Sequence, residues 1–200
     1  MNKAVLLTVE GINEGIFRDK GSRFLAYLFP CNSQDKLNEK LSELKKEHFK
    51  AKHHCYAYRF GIDKFITRAN DDGEPSGTAG LPIQNQIISA NLSDAAIIVV
   101  RYFGGTLLGT TGLIRAYKTA ASEAIDKAKL IPLIAKLEIT ALISDYAAIN
   151  RVLSAAKRAE MTEISKEIIT PPFRLTFQTE LDFDRAEKIL LDAGAMEVTA

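Results

Sequence analysis

Ala95-Ala-Ile-Ile-Val-Val-Arg-Tyr-Phe103 runs without a break into Gly104-Gly-Thr-Leu-Leu-Gly-Thr-Thr-Gly112, and this stretch decides the fold. The near-continuous apolar run predicts a strand that is buried on both faces. Apolar residues recur at helical spacing after the glycines, which predicts a helix over about residues 113–129. For the whole chain we expect a fold of the α+β class.

Periodic apolar residues also predict strands and helices nearer the N-terminus. Leu37, Leu41 and Leu44 recur at helical spacing, and the intervening positions are rich in Lys and Glu. Aromatic and apolar residues closed by Pro30 indicate a strand ahead of that helix. The predicted elements are strands over residues 22–29, 53–60 and 65–68 and helices over about 33–50 and 78–91.

Pro132 marks the best candidate for a domain boundary, within residues 130–134, because proline stops a helix. Residues 136–200 carry 8 Lys and Arg against 11 Asp and Glu, a charge of −3, whereas residues 1–135 carry 18 against 14, a charge of +4. After the boundary, alternating strands and two helices capped by Ser144 or Asp145 and by Asp182 give the order β-α-β-β-α-β. We therefore predict two domains, residues 1–132 and residues 133–200, the second with a ferredoxin-like βαββαβ fold.

Composition excludes several classes of protein. Hydrophobic residues make up 46% of the chain and charged residues 26%, which is ordinary for a globular protein. The longest apolar run, residues 95–100, is far shorter than the ~18 residues of a membrane helix. The two cysteines, Cys31 and Cys55, cannot form a disulfide framework. We expect a cytoplasmic protein without a membrane partner.

The glycine-rich stretch that follows the central strand is a candidate anion site. Glycines permit positive φ and close backbone approach, so such a loop can direct N–H groups at an anion near a helix N-terminus. Arg115 in the following helix adds a charge. The spacing of Gly104 and Gly109 resembles the start of a P-loop, but Thr110 stands where that motif needs lysine, which argues against a nucleoside triphosphatase. The alternative is that the glycines serve only a tight turn and close helix packing.

A second loop is acidic: Asp71, Asp72 and Glu74 lie beside Ser76 and Thr78. Three carboxylates in four residues can ligate a hard cation such as Mg²⁺. Turn formation and helix capping account for the same residues without a metal, and we favour that interpretation.

Both loops join a strand to the helix after it. If those two strands are neighbours, the loops open on one edge of the sheet, and Glu74 can pair with Arg101 or Arg115. We therefore predict one shared ligand site, with no metal and no cofactor. Its predicted residues are Asp72, Gly73, Glu74, Ser76, Thr78, Arg101, Tyr102, Gly104, Gly105, Thr106, Gly109 and Arg115.

Histidines and a cysteine on one strand invite a zinc or nucleophile interpretation, which we disfavour. His53 and His54 are adjacent, so they point to opposite faces of a strand and cannot easily share an ion. The same alternation puts aromatic residues from His54 to Phe60 on one face, which is more often core than a platform for stacked bases. Arg59 and Arg101 indicate that the opposite face is the more solvated one, a second candidate for nucleic acid.

The motifs Asp71-Asp-Gly-Glu-Pro-Ser-Gly-Thr-Ala-Gly-Leu-Pro-Ile83 and Val99-Val-Arg-Tyr-Phe-Gly-Gly105 resemble those of the YigZ/IMPACT family in its bacterial two-domain form. Leu108-Gly109, residues 113–117, His53-His-Cys55 and residues 20–24 are also similar, although Thr111 replaces the family's usual glycine. The resemblance implies a first domain like domain 2 of ribosomal protein S5 and a ferredoxin-like second domain like those of elongation factors. Eukaryotic relatives regulate translation by competing for the activator of a starvation-sensing kinase, and the family brings no established catalytic residues.

Three functional hypotheses follow. The first is a translation-linked regulatory protein that binds RNA or the ribosome. The second is an enzyme or binding protein for a phosphorylated small molecule held between the acidic and glycine-rich loops. The third is a protein-interaction module with neither property. We favour the first. We also favour a protein without enzymatic activity, because the family resemblance brings no established catalytic residues, but the second hypothesis leaves an enzyme open.

Overall fold

The computed structural model describes residues 5–62 and 64–200. The chain divides into two compact units, one ending at Leu133 and one running from Ile134 to Ala200. Each unit combines helices with antiparallel sheet, so the mixed helix and strand content predicted from the sequence is confirmed. Among the described residues, no helix has both the length and the apolar content needed to cross a membrane.

The first unit is built on a five-stranded antiparallel sheet in the order β2-β3-β6-β4-β5. Its central strand, β6, is fully covered on both faces over residues 95–100, as its apolar run predicted. A separate two-stranded pair, β1 with β7, ties the end of this unit to its beginning. The strands are β1 (Leu7–Val9), β2 (Asn13–Asp19), β3 (Ser22–Pro30), β4 (His53–Phe60), β5 (Ile66–Asn70), β6 (Ala95–Tyr102) and β7 (Leu130–Pro132).

Three helices cover the two faces of this sheet: α1 (Gln34–Glu47), α2 (Gly80–Ser89) and α3 (Gly109–Asp126). Helix α1 covers one face, where Leu37 and Leu44 pack with the aromatic side chains of β4. Helices α2 and α3 cover the other face, where Ile83 and Tyr117 join the core. The aromatic stripe of β4 is therefore core. The idea of a solvated arginine face is wrong, because Arg59 and Arg101 lie under α2 and α3, 9% and 6% exposed.

The strands that precede the two candidate loops are not neighbours. Strand β4 lies between β5 and β6 and is antiparallel to both, so β5 and β6 run in the same direction. Their carboxyl ends therefore reach the same edge of the sheet, and both loops open there. Helix α3 begins at Gly109, about four residues before the predicted start, and α2 begins at Gly80 rather than near Thr78.

The second unit has the element order β8 (Leu137–Ile143), α4 (Tyr146–Arg158), β9 (Thr162–Glu167), β10 (Phe173–Thr179), α5 (Phe183–Asp192) and β11 (Glu197–Thr199). The sheet is antiparallel in the order β11-β8-β10-β9. The predicted caps are confirmed: Asp145 accepts the N–H of Ala147 at 3.0 Å, and Asp182 accepts that of Arg185 at 2.9 Å. Apolar residues that alternate along β8 and β10 form the core with α4 and α5.

The stretch that was expected to be a linker is partly ordered strand. Leu130–Pro132 forms β7 and pairs with Leu7–Val9, and Leu133 donates its N–H to the carbonyl of Leu6. Leu130 packs against the core of the first unit, which ends at Leu133. Residues 133–136, which lie in neither strand nor helix, connect the two units.

Candidate functional site

Two loops of the first unit meet at one cleft. The acidic loop, residues 71–79, connects β5 to α2, and the glycine loop, residues 103–108, connects β6 to α3. The cleft between them, here called the loop cleft, has a volume of about 430 Å³. It is lined by Lys52, His53, Glu74, Pro75, Arg101, Phe103, Leu107, Leu108, Gly109, Thr110 and Leu113.

Asp71 organises the acidic loop around the start of α2. Its carboxylate accepts the backbone N–H groups of Gly77, Ala79 and Gly80 at 2.8–3.0 Å. The last two belong to the start of α2, where a helix leaves its N–H groups without partners in the helix. Burial is the largest single influence on the pKa of Asp71 and raises it. The hydrogen bonds from the three N–H groups together have the larger effect, so the pKa lies below its ordinary value. With both oxygens engaged in this way, Asp71 is a capping residue.

Asp72 and Gly73 fasten the same loop to the beginning of β4. Asp72 Oδ2 accepts the N–H of His54 at 2.7 Å, and its carbonyl accepts a hydrogen bond from His53 Nδ1 at 2.8 Å. Both residues have positive φ, 41° and 84°, and glycine adopts that conformation without strain. These two predicted site residues shape the loop and do not line the cleft.

Glu74 carries the central contact of the site. Its Oε1 accepts hydrogen bonds from Arg101 Nη1 at 2.6 Å and from Tyr117 Oη at 2.7 Å, and all three side chains are buried. Of the two partners predicted for Glu74, Arg101 is therefore the one it uses. The Cys55 thiol donates to the carbonyl of Asp71 at 2.9 Å and lies 3.3 Å from Tyr117 Oη, which continues the buried network.

Burial suppresses the ionisation of Cys55 and Tyr117 in this network. It raises the pKa of the Cys55 thiol and of the Tyr117 hydroxyl, and the nearby Glu74 carboxylate acts in the same direction on both. A buried neutral thiol is a poor nucleophile, so Cys55 is a structural residue here. Tyr117 lies in the helix predicted from apolar spacing, and its role as a hydrogen-bond partner of Glu74 was not predicted.

Arg101 lines the cleft and contacts two aromatic rings. Its guanidinium carbon is 5.4 Å from the ring centre of Phe24 and 5.6 Å from that of Phe103, distances typical of cation–π contacts. Only one of its hydrogen-bonding groups, Nη1, meets a carboxylate, that of Glu74. Its buried Nε has no hydrogen-bond partner among the described residues.

The glycine loop presents a helix N-terminus to the cleft. Gly104 packs against the backbone of Gly21, and its N–H donates to Ser22 Oγ at 3.1 Å, which leaves no space for a side chain. Gly105 has a φ of 87° and, like Thr106, is exposed. Leu108 is the N-cap of α3, with no side-chain cap and no acidic residue in the first turn. Backbone N–H groups at the start of α3 therefore lack a side-chain acceptor.

Of the twelve predicted site residues, Glu74, Arg101 and Gly109 line the cleft. Besides Asp72, Gly73 and the loop residues Gly104, Gly105 and Thr106, four others lie outside it. Tyr102 points to the opposite face, where its hydroxyl is 2.9 Å from His48 Nδ1. Arg115 lies in the second turn of α3 and pairs with Asp19 at 2.6 Å, with its side chain 66% exposed. The remaining two stay within the acidic loop: the Thr78 hydroxyl donates to the carbonyl of Pro75, and Ser76 is exposed.

The histidines have separate roles. His48 lies between Tyr27 and Tyr102, with Nε2 2.7 Å from Tyr27 Oη. His53 lines the cleft, whereas His54 is buried on the α1 side and its Nε2 has no partner among the described residues. In residues 5–62 and 64–200 no group of three His, Cys, Asp or Glu side chains is arranged to hold a metal ion.

Comparisons with known proteins place these motifs in a family. Residues 20–125 match the family described as the Impact N-terminal domain. The IMPACT family member YvyE of Bacillus subtilis (strain 168) is 44% identical over 105 residues, which cover 52% of this chain and 48% of that protein. The chain thus spans about half the length of YvyE. An IMPACT family member of Haemophilus influenzae is 36% identical over 151 residues, covering 74% of this chain and 72% of that protein.

A solved structure described as that of a hypothetical protein shares the fold. It covers 94% of this chain with a TM-score of 0.80 and 26% identity, and the match includes 91% of that protein. Both candidate loops lie within the part of the sequence that matches the Impact N-terminal domain. The family match over residues 20–125, together with the Haemophilus relative, shows that the chain belongs to the IMPACT family, as its motifs predicted.

Proposed function

We propose that this protein acts in the regulation of translation and that its first unit binds RNA, either free or within the ribosome. Family membership supports the link to translation, because the resemblance described above includes eukaryotic relatives that regulate translation. Contact with RNA rests on a feature of this chain: a set of exposed cations at the sheet edge that carries the two loops. We call this set the basic edge, and it consists of Arg18, Lys20, Arg23, Lys50, Lys52 and Arg115.

The arrangement of the basic edge is unusual for a merely structural surface. Arg18 on β2 lies directly opposite Arg23 on β3, and Arg23 lies opposite Tyr102 on β6. Like charges at facing positions destabilise a sheet. Among the described residues neither arginine pairs with a carboxylate, and Arg23 stacks over the ring of Tyr102 at 4.7 Å. An anionic partner would relieve this repulsion, which is the single observation that carries the proposal.

Among the described residues, Arg115 is the one member of the basic edge that pairs with a carboxylate. Asp19 pairs with Arg115, Asp72 accepts the N–H of His54, and Glu74 is buried. Phe49 and Phe103 stand at the same edge with 74% and 53% of their surface exposed. Exposed aromatic rings beside cations form the surfaces on which single-stranded bases stack.

The second unit contributes differently. Its net charge of −3 argues against phosphate contacts there. The βαββαβ order and antiparallel sheet of this unit support a ferredoxin-like fold, and the family resemblance supports an S5 domain 2-like fold for the first unit. We therefore propose an IMPACT-type N-terminal domain that holds the RNA-binding surface and a ferredoxin-like domain that does not.

A salt titration with a fluorescently labelled single-stranded RNA of twelve nucleotides tests the proposal. A few phosphate contacts, ~2–4, give a log–log slope of affinity against salt of about −1.5 to −3. The variant Arg23→Glu should weaken binding at least about five-fold and make the slope less steep by about 0.7, because it removes a phosphate contact. Arg174→Glu, the same charge change at an exposed position of the second unit, is the matched control.

Two results would contradict RNA binding at this edge. The first is an affinity that does not change with salt, and the second is an equal effect of Arg23→Glu and Arg174→Glu. A protein partner that copurifies from lysate after nuclease treatment, and that Arg23→Glu does not release, would support the protein-interaction alternative instead.

A further inference from the structure

We infer that the loop cleft binds a small amphipathic anion, a molecule with one phosphate or carboxylate group on an apolar, preferably flat body. This goes beyond RNA binding, because the cleft lies on the α2 and α3 side of the sheet, whereas Arg18, Arg23 and Tyr102 face the α1 side. Three features of the cleft support this inference: a buried arginine with one unsatisfied donor, an uncapped helix N-terminus, and apolar walls around them.

The arginine with the unsatisfied donor is Arg101, which is 6% exposed and lines the cleft. Its Nη1 donates to Glu74, but its Nε has no partner among the described residues. A buried donor without an acceptor costs free energy, and folded proteins retain few of them. A ligand acceptor that draws the guanidinium toward the cleft accounts for this donor, which the side chains of residues 5–62 and 64–200 leave unsatisfied.

The uncapped helix N-terminus is that of α3, which has 18 residues. Gly109 and Thr110 begin this helix and also line the cleft. Its aligned peptide dipoles place about half a positive charge at this end. The side chains around the cleft add one negative charge from Glu74 and two positive charges from Arg101 and Lys52, so the cleft carries a positive excess. It therefore favours an anion over a cation or a zwitterion.

The apolar side chains that line the cleft indicate the nature of the uncharged part of the ligand. Phe103 and Leu107 are 53% and 82% exposed, and Leu108 and Leu113 complete an apolar lining around the cation. Large apolar side chains grouped at a concave surface are typical of ligand sites. The volume of about 430 Å³ lies in the range of small-molecule pockets. Inorganic phosphate alone would leave these walls uncovered, so we expect an organic anion.

Titration of the full-length ¹⁵N-labelled protein tests this inference with four probes. Phenyl phosphate and phenylacetate combine charge with a ring, inorganic phosphate supplies charge alone, and benzyl alcohol supplies the ring alone. We expect at least one of the two ring anions to bind at least ten-fold more tightly than inorganic phosphate and benzyl alcohol, shifting the amides of Gly105, Gly109 and Thr110. The comparison of phenyl phosphate with phenylacetate identifies the anionic group.

Thr110→Asp is the decisive variant. It places a carboxylate in the exposed first turn of α3, where negative charge stabilises a helix, so the fold is retained. The same carboxylate repels the ligand, and we expect at least ten-fold weaker binding, whereas Thr110→Asn binds within about three-fold of the wild type, because it adds no charge. Ala147→Asp makes the same charge change in the first turn of α4, far along the chain, and should leave binding unchanged.

The outcomes that overturn the inference are specific. They are an absence of binding by both ring anions, equal affinity for inorganic phosphate or benzyl alcohol, or unchanged binding by Thr110→Asp. Arg23→Glu should leave the affinity for the ring anion unchanged while it weakens RNA binding, so failure of one proposal can be recognised independently of the other.

Discussion

Arg101 Nη1 lies 2.6 Å from Glu74 Oε1, and more than nine-tenths of both side chains is buried. The two residues are 27 positions apart in the sequence, and their ion pair fixes the acidic loop to the central strand β6. Two charges without water require each other, because either one alone would be an uncompensated buried charge. The position of the acidic loop therefore depends on a single desolvated pair.

Glu74→Ala should destabilise the first unit by about 3–5 kcal/mol, because it leaves Arg101 buried without its partner. The measurement is urea-induced unfolding at pH 7, followed by the fluorescence of the tyrosines. Asp19→Ala provides the control, since it removes the partner of Arg115 from a pair whose arginine is 66% exposed. An exposed pair of that kind should contribute only about 0–1 kcal/mol.

The double variant Glu74→Leu with Arg101→Met is a second test of whether the loss of stability comes from an unpaired buried charge. Replacing a buried pair by apolar residues of similar volume is often nearly neutral, so the double variant should recover most of the loss. Equal destabilisation by Glu74→Ala and Asp19→Ala would show that the pair is not desolvated in solution.

Asp71→Asn should make the free energy of unfolding less dependent on pH in the acidic range. The pKa of Asp71 is lowered in the folded protein from an ordinary value of 3.8, so its stabilising effect is complete above that value and is lost as the pH falls through the folded pKa. Asparagine cannot ionise, and its loss of charged hydrogen bonds to three N–H groups should cost about 2 kcal/mol at pH 7.

Thermal unfolding of the wild type and Asp71→Asn from pH 7 down to pH 2.5 measures this difference. The unfolding temperatures of the two proteins should converge as the pH falls. Protonation of Asp71 removes from the wild type the charged hydrogen bonds that the variant lacks at every pH. Asp145→Asn, at the cap of α4, is a matched control whose effect should appear in the second unit. Parallel curves for the wild type and Asp71→Asn would contradict the capping role.

Periodicity and local signals were enough to predict most elements. Strand β4 was predicted with its observed bounds, and the caps Asp145 and Asp182 were identified from residue type and position. These features depend on residues within a few positions of one another, which a single sequence displays directly. The meeting of the acidic and glycine loops at one edge was also predicted, although for strands assumed to be neighbours.

What the sequence did not display are contacts between distant segments. Arg101 was predicted to mark a solvated face of the sheet, because charged residues are rarely buried. It is buried because it pairs with Glu74 and α3 covers it, contacts that the sequence does not display. Tyr117 and Lys52 were missed for the same reason, since neither has a local signature. Gly104 was expected to bind a ligand, but its close approach to Gly21 places it in a packing role.

His54→Leu should reduce the loss of stability in weak acid. Burial lowers the pKa of His54 from its ordinary value of 6.5, an effect that nearby Asp72 only partly opposes. The unfolded chain therefore binds a proton at a pH where the folded protein does not. Stability is unaffected above about pH 6.5 and falls as the pH drops from there toward the folded pKa.

Urea unfolding at pH 7.5 and pH 5.5 measures the effect. We expect the difference between the two pH values to be smaller in His54→Leu than in the wild type. At pH 7.5 the two proteins should differ by less than about 1 kcal/mol, because the variant also removes the unpartnered Nε2. The same pH difference in both proteins would assign the acid sensitivity to other groups.

A fragment of residues 1–133 should fold without the second unit. It contains the whole five-stranded sheet with helices on both faces, and its size exceeds the ~60 residues at which an isolated core becomes marginal. Leu130–Pro132 pairs with Leu7–Val9, so the fragment must include β7 to complete β1. We expect cooperative unfolding and an RNA affinity within about two-fold of the full chain, since domains of this size are commonly independent.

A shorter fragment, residues 1–129, is the matched control for this prediction. It lacks β7, which leaves the backbone groups of β1 without their strand partner and removes the contact of Leu130 with the core. Buried backbone groups that lose their partners are costly, so the shorter fragment should unfold at a lower urea concentration. Proteolysis of the full chain should cut within residues 133–136, outside both strands and helices. Aggregation of fragment 1–133, or equal stability of the two fragments, would show that the boundary lies elsewhere.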